Sequence, residues 1–344
     1  MRILYGVCGE GQGHSSRAKV VINHLISKGH EVKILAYGKA YEVLKDNYDC
    51  FRTYGLHIFF KDGVIDKKKT FWNNIKEFSK NIFLIKPLFF IMIKFKPDVC
   101  ISDMEPLVPM MSFNHKIPLI SFDNQHIFTN VSMNIPSEFI KDFYAAKIYI
   151  DRVVSRADAF IITSFSKGKI LKDNTYLVPP VVRDEIFDIK PRCGKKILVY
   201  ISGGDRSKII PLKRTKEEYL IYGFNISKKE GNFEFKTSDT FLDDLKDCKA
   251  IIATSGFSLI SEALFLKKPY LAIPLKGQFE QYLNAFYIEK EGFGKYCEEL
   301  NRKELDEFLS HLSRYKYHLR NYTFDNSYLF NTFDKVLKEI KRLK

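Results

Sequence analysis

The chain has 344 residues, 45% hydrophobic and 28% charged, with a formal net charge of +14. That balance excludes a disordered chain and a disulfide-stapled mini-scaffold, and the length suits two domains with separate cores. The cationic excess predicts an electropositive surface that favours anionic substrates or partners. Most lysines are nevertheless scattered, in Lys61–Lys69, Lys190–Lys196, Lys208–Lys216 and Lys335–Lys344, as on solvated faces.

In chain order, Ile3–Val7 reads as a first strand and His14–Ser27 as a helix with Ala18, Val21, Ile22 and Leu25 on one face, ended by Gly29. Val32–Ala36 follows as a strand, then a less regular section, then Val99–Ser102, Leu119–Phe122, Ala159–Thr163 and Thr175–Val178. Pro179–Pro191, bracketed by prolines, reads as an inter-domain linker. A second strand series runs through Lys196–Tyr200, Tyr219–Tyr222, Phe233–Phe235, Ala250–Ala253 and Tyr270–Ile273, and a helix around Phe333–Leu343 closes the chain. The expected fold class is α/β: two Rossmann-like doubly wound lobes facing each other across a cleft, with ligands at strand carboxyl ends. The expected domains are 1–180 on the acceptor side and 181–325 on the donor side, with helix 326–344 packing back on the first domain.

The six cysteines are dispersed with no C-x-x-C pair, so neither a zinc cluster nor a disulfide framework is expected. Cys8, Cys50, Cys100 and Cys248 lie in or beside apolar runs, as small core residues do. The opening strand has no basic-then-apolar leader before it, so a cytoplasmic protein is expected, with the inner face of the membrane as one location open to it. Ile82–Ile93 is too short to span a bilayer and is interrupted by Lys86 and Pro87. A buried helix is the default reading of it, and an interfacial patch flanked by Lys86, Lys94 and Lys96 the alternative.

Three groups of residues carry chemistry. After the strand Ala250–Ala253, Thr254-Ser255-Gly256 opens a helix from Phe257. Backbone N–H groups at such a start attract anions, and Gly256 allows a phosphate to approach. Glu262 lies seven residues after Ser255, about 10 Å along the same face, which suits a ribose diol. A solvated glutamate is the bland alternative. Beyond Ile273-Pro274, a loop carrying Glu280-Gln281 offers the acceptors and donors that grip sugar hydroxyls. The third group is the glycine loop Gly9–Gly13, with His14 and Arg17. It lacks both the third glycine and the acidic second-strand end of a dinucleotide fingerprint, so NAD binding is not expected. His14 is a candidate base, against the alternative of a helix-start residue. Two polar loops, Ser102-Asp103-Met104-Glu105-Pro106 and Asp123-Asn124-Gln125-His126, follow strands and would face the cleft, although Asp and Asn also suit plain turns.

SGFSLISEALFLKKPYLAIP followed by FEQYLNA resembles the carboxyl half of the MurG-type enzymes of glycosyltransferase family 28 and their GT-B relatives. The resemblance implies that Ser255, Gly256 and Phe257 lie by the donor diphosphate, Glu262 binds ribose, and Glu280 and Gln281 face the donor sugar. Two glutamines stand in the MurG pattern where this chain has Glu280-Gln281, which is more like hexose-transferring relatives. The resemblance also implies that Arg183, after Pro180-Val-Val, reaches the diphosphate, and that Ser202-Gly203-Gly204 opens the second lobe. The base would rest near Lys236–Phe241. On the acceptor side it places Gly11, Gly13, Arg17, Asp103, Glu105, Asn124 and Gln125, with His14, Asp123 and His126 as catalytic candidates.

The reading is an inverting, metal-independent glycosyltransferase that uses a UDP-sugar as substrate and no cofactor. Its acceptor is an unidentified hydroxyl, lipid-linked or polymeric among the options, and peripheral membrane association and a role in cell-surface polysaccharide or glycolipid synthesis accompany it. The alternatives are a nucleotide-sugar hydrolase, which could share the motif Gly11–Arg17, an epimerase, and a binding module without turnover. Nucleic acid would require a contiguous basic stripe, and the lysines are dispersed.

Overall fold

The computed structural model describes residues 1–10, 13–55, 60–61, 64–65, 67–81, 83, 86–201, 205–213 and 215–342. The chain divides into two units, Met1–Arg183 with Asp325–Lys344, and Asp184–Phe324.

The first unit contains strands β1 (Arg2–Val7), β2 (Glu31–Ala36), β3 (Cys50–Arg52), β4 (Phe60–Lys61), β5 (Val64–Ile65), β6 (Val99–Asp103), β7 (Leu119–Asp123), β8 (Ala159–Thr163) and β9 (Thr175–Val178). Seven of them form a sheet in the order β3-β2-β1-β6-β7-β8-β9, parallel throughout, while β4 and β5 pair with each other. Nearly continuous apolar runs such as ILYGV make such strands because both faces of a parallel sheet are covered. The helices are α1 (Gly13–Ser27), α2 (Gly38–Leu44), α3 (Lys67–Asn81), α4 (Lys86–Lys94), α5 (Leu107–His115), α6 (Ile127–Asn130) and α7 (Ile140–Val153). From β1 the chain moves outward to β3 and then returns to β6 on the other side. The β1–β6 junction is therefore a topological switch point, where loops at the carboxyl ends diverge and leave room for a ligand.

The second unit contains β10 (Ile197–Tyr200), β11 (Tyr219–Tyr222), β12 (Lys228–Glu230), β13 (Phe233–Phe235), β14 (Ile251–Thr254), β15 (Tyr270–Ile273) and β16 (Gly294–Tyr296). Their order is β12-β13-β11-β10-β14-β15-β16, and only β12 runs antiparallel to its neighbour. Its helices are α8 (Asp184–Phe187), α9 (Phe241–Asp247), α10 (Phe257–Phe265), α11 (Phe279–Lys290), α12 (Arg302–Ser310) and α13 (Leu312–Arg320).

The last helix, α14 (Ser327–Arg342), belongs to the first unit. Leu329, Phe333, Val336, Leu337 and Ile340 recur at helical spacing and are buried in the same core as Ile22, Leu25 and Phe122. Phe333 meets Phe122 edge-on at 5.1 Å, and Asp334 lies 2.8 Å from His24 Nε2. Where the chain leaves this unit, buried Asn326 donates to the Val182 carbonyl at 2.7 Å and accepts from its N–H at 3.2 Å.

The boundary between the two units, after Arg183, falls inside Pro179–Pro191; Val182 and Ile186 within it are fully buried, and α8 forms there. The apolar stretch Ile82–Ile93 is not simply a buried helix. In α4, Leu88, Ile91 and Met92 are buried, whereas Phe89, Phe90 and Ile93 are exposed, because the helix is apolar around more of its circumference than the unit covers. Among the described residues, no helix is long and apolar enough to cross a membrane. All six cysteines are free, with Cys50 half-buried and Cys193 exposed.

Candidate active site

On the first unit the sheet register brings the site together. Val7 is paired with Asp103 across β1 and β6, and the Cys8 N–H donates to the Asp103 carbonyl at 3.0 Å. The chain then enters the glycine loop, whose first residue is tightly confined. A Cβ on Gly9 would lie 2.2 Å from the Tyr37 carbonyl oxygen, so only glycine fits against this backbone. The Tyr37 hydroxyl is 3.1 Å from the Cys8 sulfur. Gly11 lies outside the described residues, and Gly13 begins α1.

His14 and Arg17, three residues apart on the first turn of α1, share one face and both reach Asp103. His14 Nδ1 is 2.7 Å from Asp103 Oδ1. Arg17 donates from Nε to Asp103 Oδ2 at 2.6 Å, from a terminal nitrogen to Asp103 Oδ1, and from the other terminal nitrogen to Asn124 Oδ1 at 2.6 Å. One guanidinium nitrogen is also 2.8 Å from His14 Nδ1. That nitrogen cannot both donate to Asp103 and accept from Arg17. A carboxylate only accepts, and Arg17 already has oxygen acceptors, so the contact with Asp103 selects the Nδ1–H tautomer. The lone pair is then on Nε2. The Asp103 side chain is fully buried, and that of His14 remains 13% exposed.

Burial works against the charge of Arg17, but the Asp103 carboxylate more than offsets it and holds the guanidinium protonated. Asp123, the last residue of β7, is also fully buried. Burial disfavours its charge too, yet the His126 imidazole beside it draws the carboxyl down to about 2. His126 Nδ1 lies 2.7 Å from Asp123 Oδ2, and its Nε2 lies 3.2 Å from the Val154 carbonyl. Two acceptors on two ring nitrogens fit an imidazolium. Burial opposes that charge, but Asp123 outweighs it and raises the His126 pKa.

The two acidic pairs are thus of different kinds. His126 is 1% exposed with both nitrogens engaged, which suits holding the loop rather than exchanging a proton with substrate. Asn124 is buried against Arg17, and the Gln125 side chain accepts from the Asn124 N–H at 3.3 Å. Glu105 turns inward. Its two carboxylate oxygens accept from the Leu107 N–H at 3.0 Å and the Val108 N–H at 2.8 Å at the start of α5, and the residue is fully buried. In place of the acceptor-side position expected for it, Glu105 caps a helix.

On the second unit, Thr254 ends β14 and Gly256 is the cap residue before α10, with no side-chain cap. A Cβ on Gly256 would meet nothing within 4 Å, so the approach to this helix start is open. The Ser255 hydroxyl is buried and has no hydrogen-bond partner among the described residues. An orphaned hydroxyl beside an uncapped helix N-terminus matches what a phosphate oxygen would satisfy. Asn284 of α11 donates to the Ser255 carbonyl at 3.0 Å, and the Tyr270 hydroxyl to the Thr254 carbonyl at 2.8 Å. These two residues pin the turn, and no local motif marked them for it. Glu262 is on α10 and 6% exposed.

Glu280 and Gln281 are not in a loop, as expected, but in the first turn of α11, because Gln278 caps a helix that begins at Phe279. Gln281 accepts from the Leu275 N–H at 3.0 Å and donates to Gln278 at 2.7 Å, closing its own turn. Arg183 is half-buried at the end of the first unit, one residue after the Asn326 clasp on Val182. Ser202, Gly203 and Gly204 lie outside the described residues. In the region expected beside the base, Lys236 is 2.8 Å from Asp244.

Two parallel Rossmann-like sheets, one ending in a His–Asp pair and the other in an uncapped Ser-Gly helix start, define a GT-B glycosyltransferase. A family model described as glycosyl transferase family 1 matches residues 1–313, and the chain belongs to that family. An uncharacterized glycosyltransferase of Methanosarcina acetivorans is 28% identical over 330 residues, 86% of this chain and 85% of its own. The UDP-N-acetylglucosamine–N-acetylmuramyl-(pentapeptide) pyrophosphoryl-undecaprenol N-acetylglucosamine transferase of Clostridium botulinum is 32% identical over 169 residues, 43% of this chain and 46% of its own. The crystal structure of Acinetobacter baumannii MurG matches with a TM-score of 0.61 at 16% identity, covering 97% of this chain and 99% of that one, a likeness of fold.

The Glu105 cap has a measurable pH signature. Burial raises its carboxyl from 4.5 to about 7, against the two backbone donors that pull it down. Between those values the folded state binds more protons than the unfolded state, so the contribution of Glu105 falls as pH rises through the window. Wild-type unfolding free energy should decline by about 1–3 kcal/mol more than that of Glu105→Gln across this range. Parallel stability curves for the two proteins in denaturant titrations would refute a buried, proton-retaining cap.

Proposed function

We propose that this glycosyltransferase moves a hexose from a UDP-sugar to a hydroxyl acceptor with inversion, using His14 as general base and no metal ion. The observation that carries this reading is the orientation of His14: buried Asp103 holds Nδ1–H, and the unprotonated Nε2 is left for an acceptor hydroxyl. Nε2 takes the hydroxyl proton as the acceptor oxygen bonds to the anomeric carbon. The bond from that carbon to the diphosphate breaks on the opposite face, and the nucleotide leaves with the electron pair.

The donor half rests on residue chemistry. The α10 N-terminus and the Ser255 hydroxyl would take diphosphate oxygens, with Gly256 and Phe257 shaping the approach. Arg183 would add a bidentate cation to the leaving group. Together these groups supply the charge stabilisation for which a metal would otherwise serve. Glu262 would accept from the ribose hydroxyls, and Glu280 would meet the sugar. Uridine is supported by the name of the Clostridium botulinum relative, which specifies a UDP-sugar.

That relative's name also specifies a pyrophosphoryl-undecaprenol acceptor, and a lipid-linked or membrane-displayed acceptor fits one surface of this chain. Phe89, Phe90 and Ile93 are exposed on α4, with exposed Lys94 and Lys96 immediately after them. Apolar side chains flanked by lysines suit peripheral association with an anionic bilayer from the cytoplasmic side. Phe89→Ser with Phe90→Ser should reduce co-sedimentation with phosphatidylglycerol vesicles several-fold, and equal binding by the folded double variant would detach α4 from the membrane.

The two halves of the site separate kinetically. His14→Ala should lower turnover about a hundredfold or more and leave UDP affinity nearly intact. Glu262→Ala should instead weaken UDP binding by about 2–4 kcal/mol in calorimetric titration. The assay is run with UDP- and dTDP-sugar panels, with and without lipid extracts. Turnover surviving in His14→Ala would remove the base, and unchanged UDP affinity in Glu262→Ala would remove the ribose contact.

A further inference from the structure

Arg17 makes more contacts with Asp103 than binding a substrate would require of it. It is 8% exposed, its guanidinium grips both carboxylate oxygens, and its remaining terminal nitrogen is anchored on Asn124. Its cationic carbon also lies 5.9 Å from the centre of the Phe122 ring. A side chain so enclosed by protein groups is built into the site, not displayed to a ligand.

We propose that Arg17 is a positioning residue that keeps His14 a neutral base, by neutralising the carboxylate that orients it. The inference rests on the reading of His14 as the general base. A histidine paired with an unshared buried carboxylate is driven toward imidazolium, which cannot accept a proton. Here the cluster has two anions, Asp103 and Asp123, and two cations, Arg17 and His126. The charges balance with the His14 ring neutral, and protonating that ring would leave a net positive charge in a poorly solvated place. Asp103 can then orient the Nδ1–H proton without drawing a second proton onto Nε2. The fork geometry also holds Arg17 on the oxygen acceptors of Asp103 and Asn124.

Of the other titratable groups near the cluster, Tyr5 and Cys8 add no charge to it, and Glu10 is a further carboxylate outside the four paired groups. From β1 come Tyr5 and, just beyond the strand, Cys8 and Glu10. Burial raises the Tyr5 pKa well above the ordinary phenol value and pushes the Cys8 thiol up to about 12, so both are uncharged. Glu10 follows at the loop. Asp103 comes from β6, and Asp123 with His126 from the end of β7. Arg17 is thus the cation that contacts Asp103 directly.

The test reads His14 itself. In the full chain labelled with 15N-histidine, the His14 signals are assigned by their loss in His14→Gln, and ring nitrogen shifts are followed against pH. Wild-type His14 should be the neutral Nδ1–H tautomer at pH 7.5. In Arg17→Gln the imidazolium should persist to higher pH by about one unit or more, and the acid limb of the kcat/KM profile should move with it. Arg17→Lys, which keeps the charge, should recover most of the wild-type titration while losing the fork. Should the glutamine variant fail to fold, the wild-type spectrum alone decides: imidazolium, or the Nε2–H tautomer, at pH 7.5 overturns the proposal. Identical His14 titration in wild type and folded Arg17→Gln also overturns it. Failure of the general-base reading looks different, because His14→Ala would then keep its turnover whatever the ring titration shows.

Discussion

The polar cluster on the first unit depends on one buried carboxylate. Asp103 is fully buried at the end of β6, and the first turn of α1 delivers Arg17 and His14 to its two oxygens. An unpaired carboxylate in that position would be strongly destabilising. The need to satisfy it explains several neighbouring features. Gly9 packs against Tyr37 where no side chain fits, and α1 begins at Gly13. Asn124 must follow β7 to occupy the last arm of the guanidinium.

A second pair of charges surrounds the first. Asp123 and His126 form their own buried pair one strand over, and Asp123 also acts on Arg17 through space. The division of labour between the histidines follows from their surroundings. His126 has both ring nitrogens on protein acceptors and fixes a loop, whereas His14 has one nitrogen on Asp103 and keeps partial access to solvent. The second unit uses neutral groups instead. The Ser255 turn is pinned by Asn284 and Tyr270, its hydroxyl lacks a partner among the described residues, and the helix start has no side-chain cap.

Much of the fold was legible because its central strands are apolar on both faces. Leu119–Phe122, Ala159–Thr163, Tyr219–Tyr222 and Tyr270–Ile273 announce themselves as short runs between turn residues, and each lies within a strand. The strands that escaped notice are short or charged: β3, β12 with its sequence Lys-Lys-Glu, and β16 at sheet edges, and β4 and β5, which pair only with each other. The proline-bracketed segment Pro179–Pro191 does contain the unit boundary, and burial of Val182 and Ile186 within it is what its composition did not reveal. The site was legible as a set of polar loops after strands, but not as a network. Arg17 and Asp103 are 86 residues apart, and no spacing rule predicts that they meet. Nor does a sequence distinguish a glutamate that caps a helix from one that faces a substrate, and Glu105 was misplaced for that reason. Tyr37, Tyr270 and Asn284 act through long-range contacts with backbone or sulfur, so no local motif signals them.

The family places this chain among enzymes that move sugars, and the arrangement around Asp103 supports the proposed role of His14 as base. Asp103→Asn tests that account most directly. Asparagine keeps the shape, removes the charge, and can present an N–H to His14 Nδ1, which would favour the wrong tautomer. In folded Asp103→Asn, turnover with saturating donor should fall by about a hundredfold or more while UDP affinity stays within about twofold of wild type. Turnover close to wild type in that variant would contradict the claim that a buried carboxylate sets the base.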